Sequence, residues 1–96
     1  MRIDTAVELY LDHLRVERAL AGNTVLAYAA DLSKLVQHVE LGGGTSVRDL
    51  GLDSITSWLG SLLDQGLSAR SAGRHLSAAR GFCRFLVREG LLTQDP

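Results

Sequence analysis

From Ala69 to Glu89 the chain repeats apolar residues every three to four positions, with no proline to interrupt it and Gly90 placed to end it. That pattern commits about 21 residues to one amphipathic helix, and nothing elsewhere alternates as a half-buried strand does. The only proline is Pro96, and Leu, Ala and Arg, all good helix formers, dominate the composition. The fold expected is all-α. A chain of 96 residues makes one domain with a modest core, and with 46% hydrophobic residues that core requires neither disulfide nor metal. Cys83 is the single cysteine; it has no second cysteine to pair with and no Cys or His at metal-ligand spacing. A lone thiol fits a reducing compartment. No apolar run reaches the length of a membrane span, and Met1-Arg2-Ile3-Asp4 lacks the apolar stretch of a signal peptide. The expectations are a cytoplasmic protein with no membrane partner, no metal and no cofactor.

Upstream, the apolar spacing predicts three more helices. The first runs from Thr5 to Arg18, with Thr5 and Glu8 at capping-box spacing and a stripe of Val7, Leu11 and Leu14 beside Tyr10. Ala21-Gly22-Asn23 punctuates. A second helix, Thr24 to Glu40, buries Val25, Tyr28, Leu32, Leu35, Val36 and Val39. Leu41 to Ser46 reads as the one flexible connection. Asp53 then caps a short third helix, Ser54 to Gln65, that buries Ile55, Trp58, Leu59 and Leu62. Gly66 closes it, Ser68 caps the fourth helix, and Leu91 to Pro96 reads as exit coil.

Charge along the chain is uneven. The net charge is −1, yet residues 1–64 carry −4 and residues 65–96 carry +3. Five arginines, Arg70, Arg74, Arg80, Arg84 and Arg88, supply the positive half. At about 100° per residue they share an arc of about 120°, opposite Ala72, Leu76, Ala79, Phe82, Cys83 and Leu86. Ser71, Gly73, Ser77, Ala78 and Gly81 lie on or beside the arc and let a bulky partner approach. A solvated charged face is the plain explanation. Against it, the helix carries almost no acids on that face. Arginines four residues apart repel by a few tenths of a kcal/mol each, which a polyanionic partner would relieve. Ser68 and Ser71 add hydroxyls beside the free N–H groups of the helix start, where phosphates bind.

Other candidate chemistry is weak. Gly42-Gly43-Gly44 lacks both the following Gly-Lys-Ser/Thr and the preceding strand of a phosphate loop. Trp58 at helical spacing belongs to the core rather than to a base-stacking surface. His13, His38 and His75 form no nucleophile-base constellation with any Ser or Cys.

The run Gly66-Leu67-Ser68-Ala69-Arg70-Ser71-Ala72-Gly73-Arg74-His75-Leu76-Ser77-Ala78-Ala79-Arg80-Gly81-Phe82, continuing through Phe85-Leu86 and Glu89-Gly90 to Asp95-Pro96, resembles the end of the N-terminal core-binding domain of tyrosine recombinases, the Xer and phage-integrase branches above all. Arg15-Val16-Glu17-Arg18-Ala19-Leu20, Asn23-Thr24, Tyr28 and Asp31-Leu32 resemble that domain's first helix, turn and second helix. The resemblance spans essentially the whole chain. It implies a four- to five-helix bundle of the SAM-like, integrase N-terminal type. Such a domain is one half of a clamp around a recombination half-site, its second and fourth helices turned to the major groove. Carried over residue by residue, DNA contacts fall on Asn23, Thr24, Arg70, Ser71 and Arg74, with Arg80 on phosphate. Arg84 and Arg88 are assigned to the interface with another domain, and Tyr28 and Leu32 to the core. Two departures stand out. Ala21 occupies the position of the family's serine cap, leaving Asn23 or Thr24 to cap, and Ala29 follows Tyr28 where arginine is usual, so helix two is less basic.

The resemblance further implies that the tyrosine nucleophile and its Arg, His and Lys activators belong to a catalytic domain outside these residues. Residues 1–96 are therefore expected to be a single core-binding domain, not an enzyme alone, in DNA integration or chromosome-dimer resolution. Its expected partners are double-stranded DNA, the parent's catalytic domain and neighbouring protomers in a DNA-bound tetramer. A helical protein-interaction module with an acidic partner is the alternative.

Overall fold

The first helix begins on the core itself. In the computed structural model, which describes residues 1–93, α1 (Ile3–Val16) buries Ile3, Ala6, Val7, Tyr10, Leu11 and Leu14 along one stripe. It starts two residues before the predicted Thr5, and no Thr5–Glu8 box forms, because Arg2 takes the cap position without a side-chain bond. The start is held from a distance instead: the Ile3 N–H donates to the Thr45 carbonyl (2.8 Å) and the Val47 N–H to the Met1 carbonyl (3.0 Å). At the far end the Leu20 N–H donates to the Leu14 carbonyl, with Ala19 in the left-handed conformation (φ 48°) where glycine is usual.

α2 (Gly22–Leu41) buries Val25, Leu32, Leu35, Val36 and Val39 as expected, while Tyr28 is only half-buried. It begins at Gly22, so neither Asn23 nor Thr24 caps it; Ala21 occupies the cap without a side-chain bond. The segment expected to be flexible is bonded throughout. Gly44 donates its N–H to the Val39 carbonyl, and the Asp49 carboxylate accepts from the Thr45 and Ser46 N–H groups, both at 2.9 Å. Ser46 and Asp49 form a capping box around a single 3-10 turn, Val47–Asp49. A β-carbon on Gly44 would lie 2.8 Å from Val39 Cγ1 and 2.9 Å from Asp49 Cβ, which is why this position carries none.

α3 (Leu52–Asp64) begins earlier than Ser54, and Asp53 lies inside it. The cap is Gly51, whose N–H donates to the Ser54 hydroxyl while that hydroxyl donates back to the Gly51 carbonyl. Ile55, Trp58 and Leu62 are buried as expected, and Leu59 only half so. α4 (Ala69–Arg88) follows a glycine turn at Gly66 (φ 93°) and is capped by Ser68, whose hydroxyl accepts from the Ser71 N–H.

α1 packs on α2, and α4 lies across α2 and α3 while touching α1. Phe82, Cys83, Leu86, Ala78, Ala79 and His75 form its buried face. Two expectations fail here: Ala78, placed beside the basic arc, is fully buried, and Leu76 is half-buried. The exit is not free coil either, because Leu91 and Leu92 turn back through N–H bonds to the Leu86 carbonyl and pack on the core. Residues 94–96 of that predicted coil, with Asp95 and Pro96, lie outside the described residues. The described residues form an all-α bundle with four α-helices, and no helix among them is long and apolar enough to cross a membrane.

Candidate nucleic-acid interface

Helix α4 presents its arginines because its opposite face is consumed by the core. Arg70, Arg74, Arg80, Arg84 and Arg88 are all exposed, with Gly73 and Ser77 between them. Beyond that shared exposure their surroundings differ. The side chains of Arg70, Arg80 and Arg84 make no hydrogen bond or ion pair among the described residues. Arg88 places Nη2 3.1 Å from His13 Nε2 and its guanidinium 5.8 Å from the Phe85 ring centre.

Arg74 is the most constrained. Its Nε and Nη2 donate to Oδ2 and Oδ1 of Asp31 at 3.1 and 3.0 Å, a two-bond fork in which the planar guanidinium matches the carboxylate. The Asp31 side chain is 3% exposed and that of Arg74 59%. So the fork rises from a buried anchor to an open tip, and the outer edge of the guanidinium stays available. His75, fully buried one residue on, sets Nε2 3.2 Å from Asp31 Oδ1 and 3.3 Å from Lys34 Nζ. Its Nδ1 donates to the Ser71 carbonyl at 2.6 Å. Nε2 therefore donates to Asp31 when the ring is protonated and accepts from Lys34 when it is neutral.

Between the first turns of α2 and the middle of α4 lies a cleft of about 370 Å³. Asn23 and Thr24 stand on one wall, Arg74 and Ser77 on the other, and Tyr28 and Asp31 line it between them. The fold thus brings Asn23, Thr24 and Arg74, predicted from separate motifs, around one opening. Arg70 and Ser71 sit up to a turn N-terminal to Arg74 on α4, and Arg80 lines neither this cleft nor its neighbour. Ser68 is committed to its cap and donates its own O–H to Ser71 Oγ at 3.1 Å, so it is occupied within the helix start.

Residues 7–90 match the family described as phage integrase, N-terminal SAM-like domain. The chain belongs to that family. Among curated relatives, it is 40% identical over 90 residues to Tyrosine recombinase XerD of Pseudomonas aeruginosa, covering 94% of this chain and 30% of that protein. It is 41% identical over 90 residues to Tyrosine recombinase XerC of Pseudomonas fluorescens, with the same coverage. To Tyrosine recombinase XerD of Staphylococcus haemolyticus it is 35% identical over 94 residues, 98% of this chain and 32% of the relative. The chain spans about a third of the length of these relatives. No solved structure matches it significantly.

For this integrase SAM-like domain, the sequence overlooked what holds the site together. No motif assigns a role to Asp31 or His75, yet Asp31 grips Arg74 and His75 backs Asp31, with Lys34 behind His75. A signal existed: on the helical wheel of α4, His75 falls within the buried arc, and a buried imidazole demands partners. The absence of acids on the arginine face also needs correcting, since Asp31 supplies one from α2. Trp58 is 2% exposed and packs 5.8 Å from the His75 ring, as the core reading required, although its indole N–H finds no partner among the described residues. His38 Nε2 does meet Ser57 Oγ at 3.1 Å, and among the described residues no carboxylate bonds the ring to complete a triad.

Proposed function

We propose that residues 1–96 form the DNA-gripping N-terminal domain of a site-specific tyrosine recombinase, clamping one face of a recombination half-site during DNA integration or chromosome-dimer resolution. The observation that carries the reading is the exposed arginine face of α4, unpaired at Arg70, Arg80 and Arg84, in a chain of the integrase SAM-like family. Asn23, Thr24, Arg70, Ser71 and Arg74 face the groove, and Arg80 holds a phosphate. The uncapped start of α2 supports this reading. The N–H groups of Gly22, Asn23 and Thr24 have no partner among the described residues, and Asn23 and Thr24 line the cleft, where a helix start favours an anion. The nucleophilic tyrosine and its activating residues belong to the catalytic domain of the parent protein. Tethered to it, this domain converts a weak contact into a raised local concentration, and protomers meet in a tetramer on DNA.

Alone, the chain binds duplex weakly and with steep salt dependence. Neutralising three or four phosphates gives a log K against log salt slope of about −3. Anisotropy of a short labelled duplex titrated at rising salt tests this. Arg70→Ala with Arg80→Ala is the informative variant, since neither side chain holds anything within the fold. Absence of binding at low salt, or binding and slope unchanged in that variant, counts against the reading and favours an acidic protein partner.

A further inference from the structure

The C-terminal stretch of the α4 arginine face opens on a second cleft, of about 530 Å³, walled by α1, α2 and α4. Arg18, Arg84 and Arg88 line it, and no carboxylate does. Glu17, next to Arg18 in the chain, is paired with His13 Nδ1 at 2.8 Å. Arg18 follows the end of α1, directly before the left-handed Ala19. The Arg18 backbone N–H donates to the His13 carbonyl (3.2 Å), but neither the Arg18 nor the Arg84 side chain makes a hydrogen bond or ion pair among the described residues.

A second, independent feature is Tyr10. The residue is 5% exposed, its ring packed against Phe82 and Phe85, yet its hydroxyl reaches the cleft and makes no hydrogen bond among the described residues. It approaches α4 at Gly81, where a β-carbon would stand 2.5 Å from the hydroxyl oxygen. Burial pushes the phenol above its ordinary value of 10.0, so it keeps its proton and can donate to an anion. Three cations without a carboxylate and a donor without an acceptor are complementary to one chemistry.

We propose that this cleft is a phosphate site, in which Arg18, Arg84 and Arg88 surround a phosphodiester of the DNA backbone and the Tyr10 hydroxyl donates to one of its oxygens. The assignment rests on the DNA-binding reading and extends it. Guanidinium forks suit phosphate oxygens, and Tyr28 and Ser77 line both clefts, so the site continues the opening that holds Arg74. From Arg74 to Arg84 the helix rises about 15 Å, the axial span of about four base-pair steps. Arg84 and Arg88 thereby serve the duplex rather than a neighbouring domain.

Anisotropy titrations of a short labelled duplex over a salt series test the site, with a thermal melt of each protein. Arg18→Ala and Arg84→Ala each reduce the magnitude of the salt slope by about one. Tyr10→Phe weakens binding about three- to tenfold at fixed salt with its slope unchanged. It costs less in the Arg84→Ala background, as two donors to one phosphate require. Unchanged arginine slopes with wild-type binding intact overturn the site and leave the DNA-binding reading standing. Reduced slopes with Tyr10→Phe indistinguishable from wild type overturn it too, leaving only diffuse charge. If Tyr10→Phe melts early, the Arg18→Ala, Arg84→Ala double variant decides, because both side chains are exposed: non-additive losses support one shared phosphate and additive losses overturn it. No wild-type binding at low salt removes the DNA-binding reading itself.

Discussion

Removing the exposed member of the Asp31–Arg74 pair should destabilise the fold more than removing the buried one. Arg74→Ala strands a carboxylate whose side chain is 3% exposed, leaving it only His75 Nε2 at 3.2 Å. Breaking a buried pair from one end costs about 3–5 kcal/mol, because the charge left behind stays unpaired and dry. Partial compensation by His75, and by water entering the cleft that Asp31 lines, brings the expected loss to about 2–3 kcal/mol. Asp31→Asn leaves a guanidinium that is 59% exposed and rehydrates freely, while the amide keeps one acceptor for it. Its expected cost is about 1 kcal/mol, one charge-assisted bond downgraded. For a domain of this size the melting temperature should fall by about 10–20 °C in Arg74→Ala and about 4–8 °C in Asp31→Asn. The double variant should recover part of the Arg74→Ala loss, since no stranded charge remains. Circular-dichroism melts and urea titrations of the four proteins measure each term. Arg74→Ala within about 0.5 kcal/mol of wild type would refute the reasoning, because it is then an ordinary surface arginine.

The contact between Tyr10 and Gly81 predicts a change of sign. Gly81→Ala gains about 1 kcal/mol of helix propensity but drives a β-carbon against the Tyr10 hydroxyl at 2.5 Å, an overlap costing about 1–3 kcal/mol, so it is neutral to destabilising in wild type. In a Tyr10→Phe background the next atom is Cζ at 3.7 Å, and the same substitution should stabilise; equal effects in both backgrounds would sink the account. Acid stability should report Asp49. The Ser46 and Thr45 N–H groups hold its carboxyl below the ordinary 3.8, so its contribution is complete above about pH 4 and disappears as pH falls through the folded-state value. Melts over descending pH should show Asp49→Asn with a shallower acid decline than wild type.

Local signals were legible where they settled matters alone. The period of α4, its Ser68 cap and the Gly66 turn were readable because each depends on residues within a turn or two. Ser46 and Asp49 also had capping-box spacing, but the three preceding glycines obscured it and the segment read as loose. Expectations failed where distant segments decide. Thr5 yields the start of α1 because the chain end is tied to Thr45 and Val47, and Asp53 yields the start of α3 to the Gly51–Ser54 exchange. The arginine stripe was visible as an arc. Its division was not, because the acid that holds Arg74 lies 43 residues away and the tyrosine facing Gly81 is on the first helix.

That division explains how a chain of net charge −1 can present a cationic face. Much of its acid is spent internally: Asp31 on Arg74, Glu17 on His13, Asp12 on Arg15, Asp4 on Arg2, and Asp49 on backbone N–H groups. Arg18, Arg70, Arg80 and Arg84 have no such partner among the described residues. Screening at physiological salt confines each charge to about 8 Å, so an approaching polyanion responds to the local balance and not to the sum over the chain. The two kinds of arginine then differ in what they can contribute. An unpaired guanidinium on a flexible stem supplies charge wherever a phosphate lies. A guanidinium clamped through Nε and Nη2 has lost that freedom beforehand and offers its remaining edge in one orientation. Pairing Arg74 with a buried carboxylate therefore lowers its worth as a charge and raises its worth as a shape, which is the exchange that the proposed groove contact calls for and a phosphate contact does not.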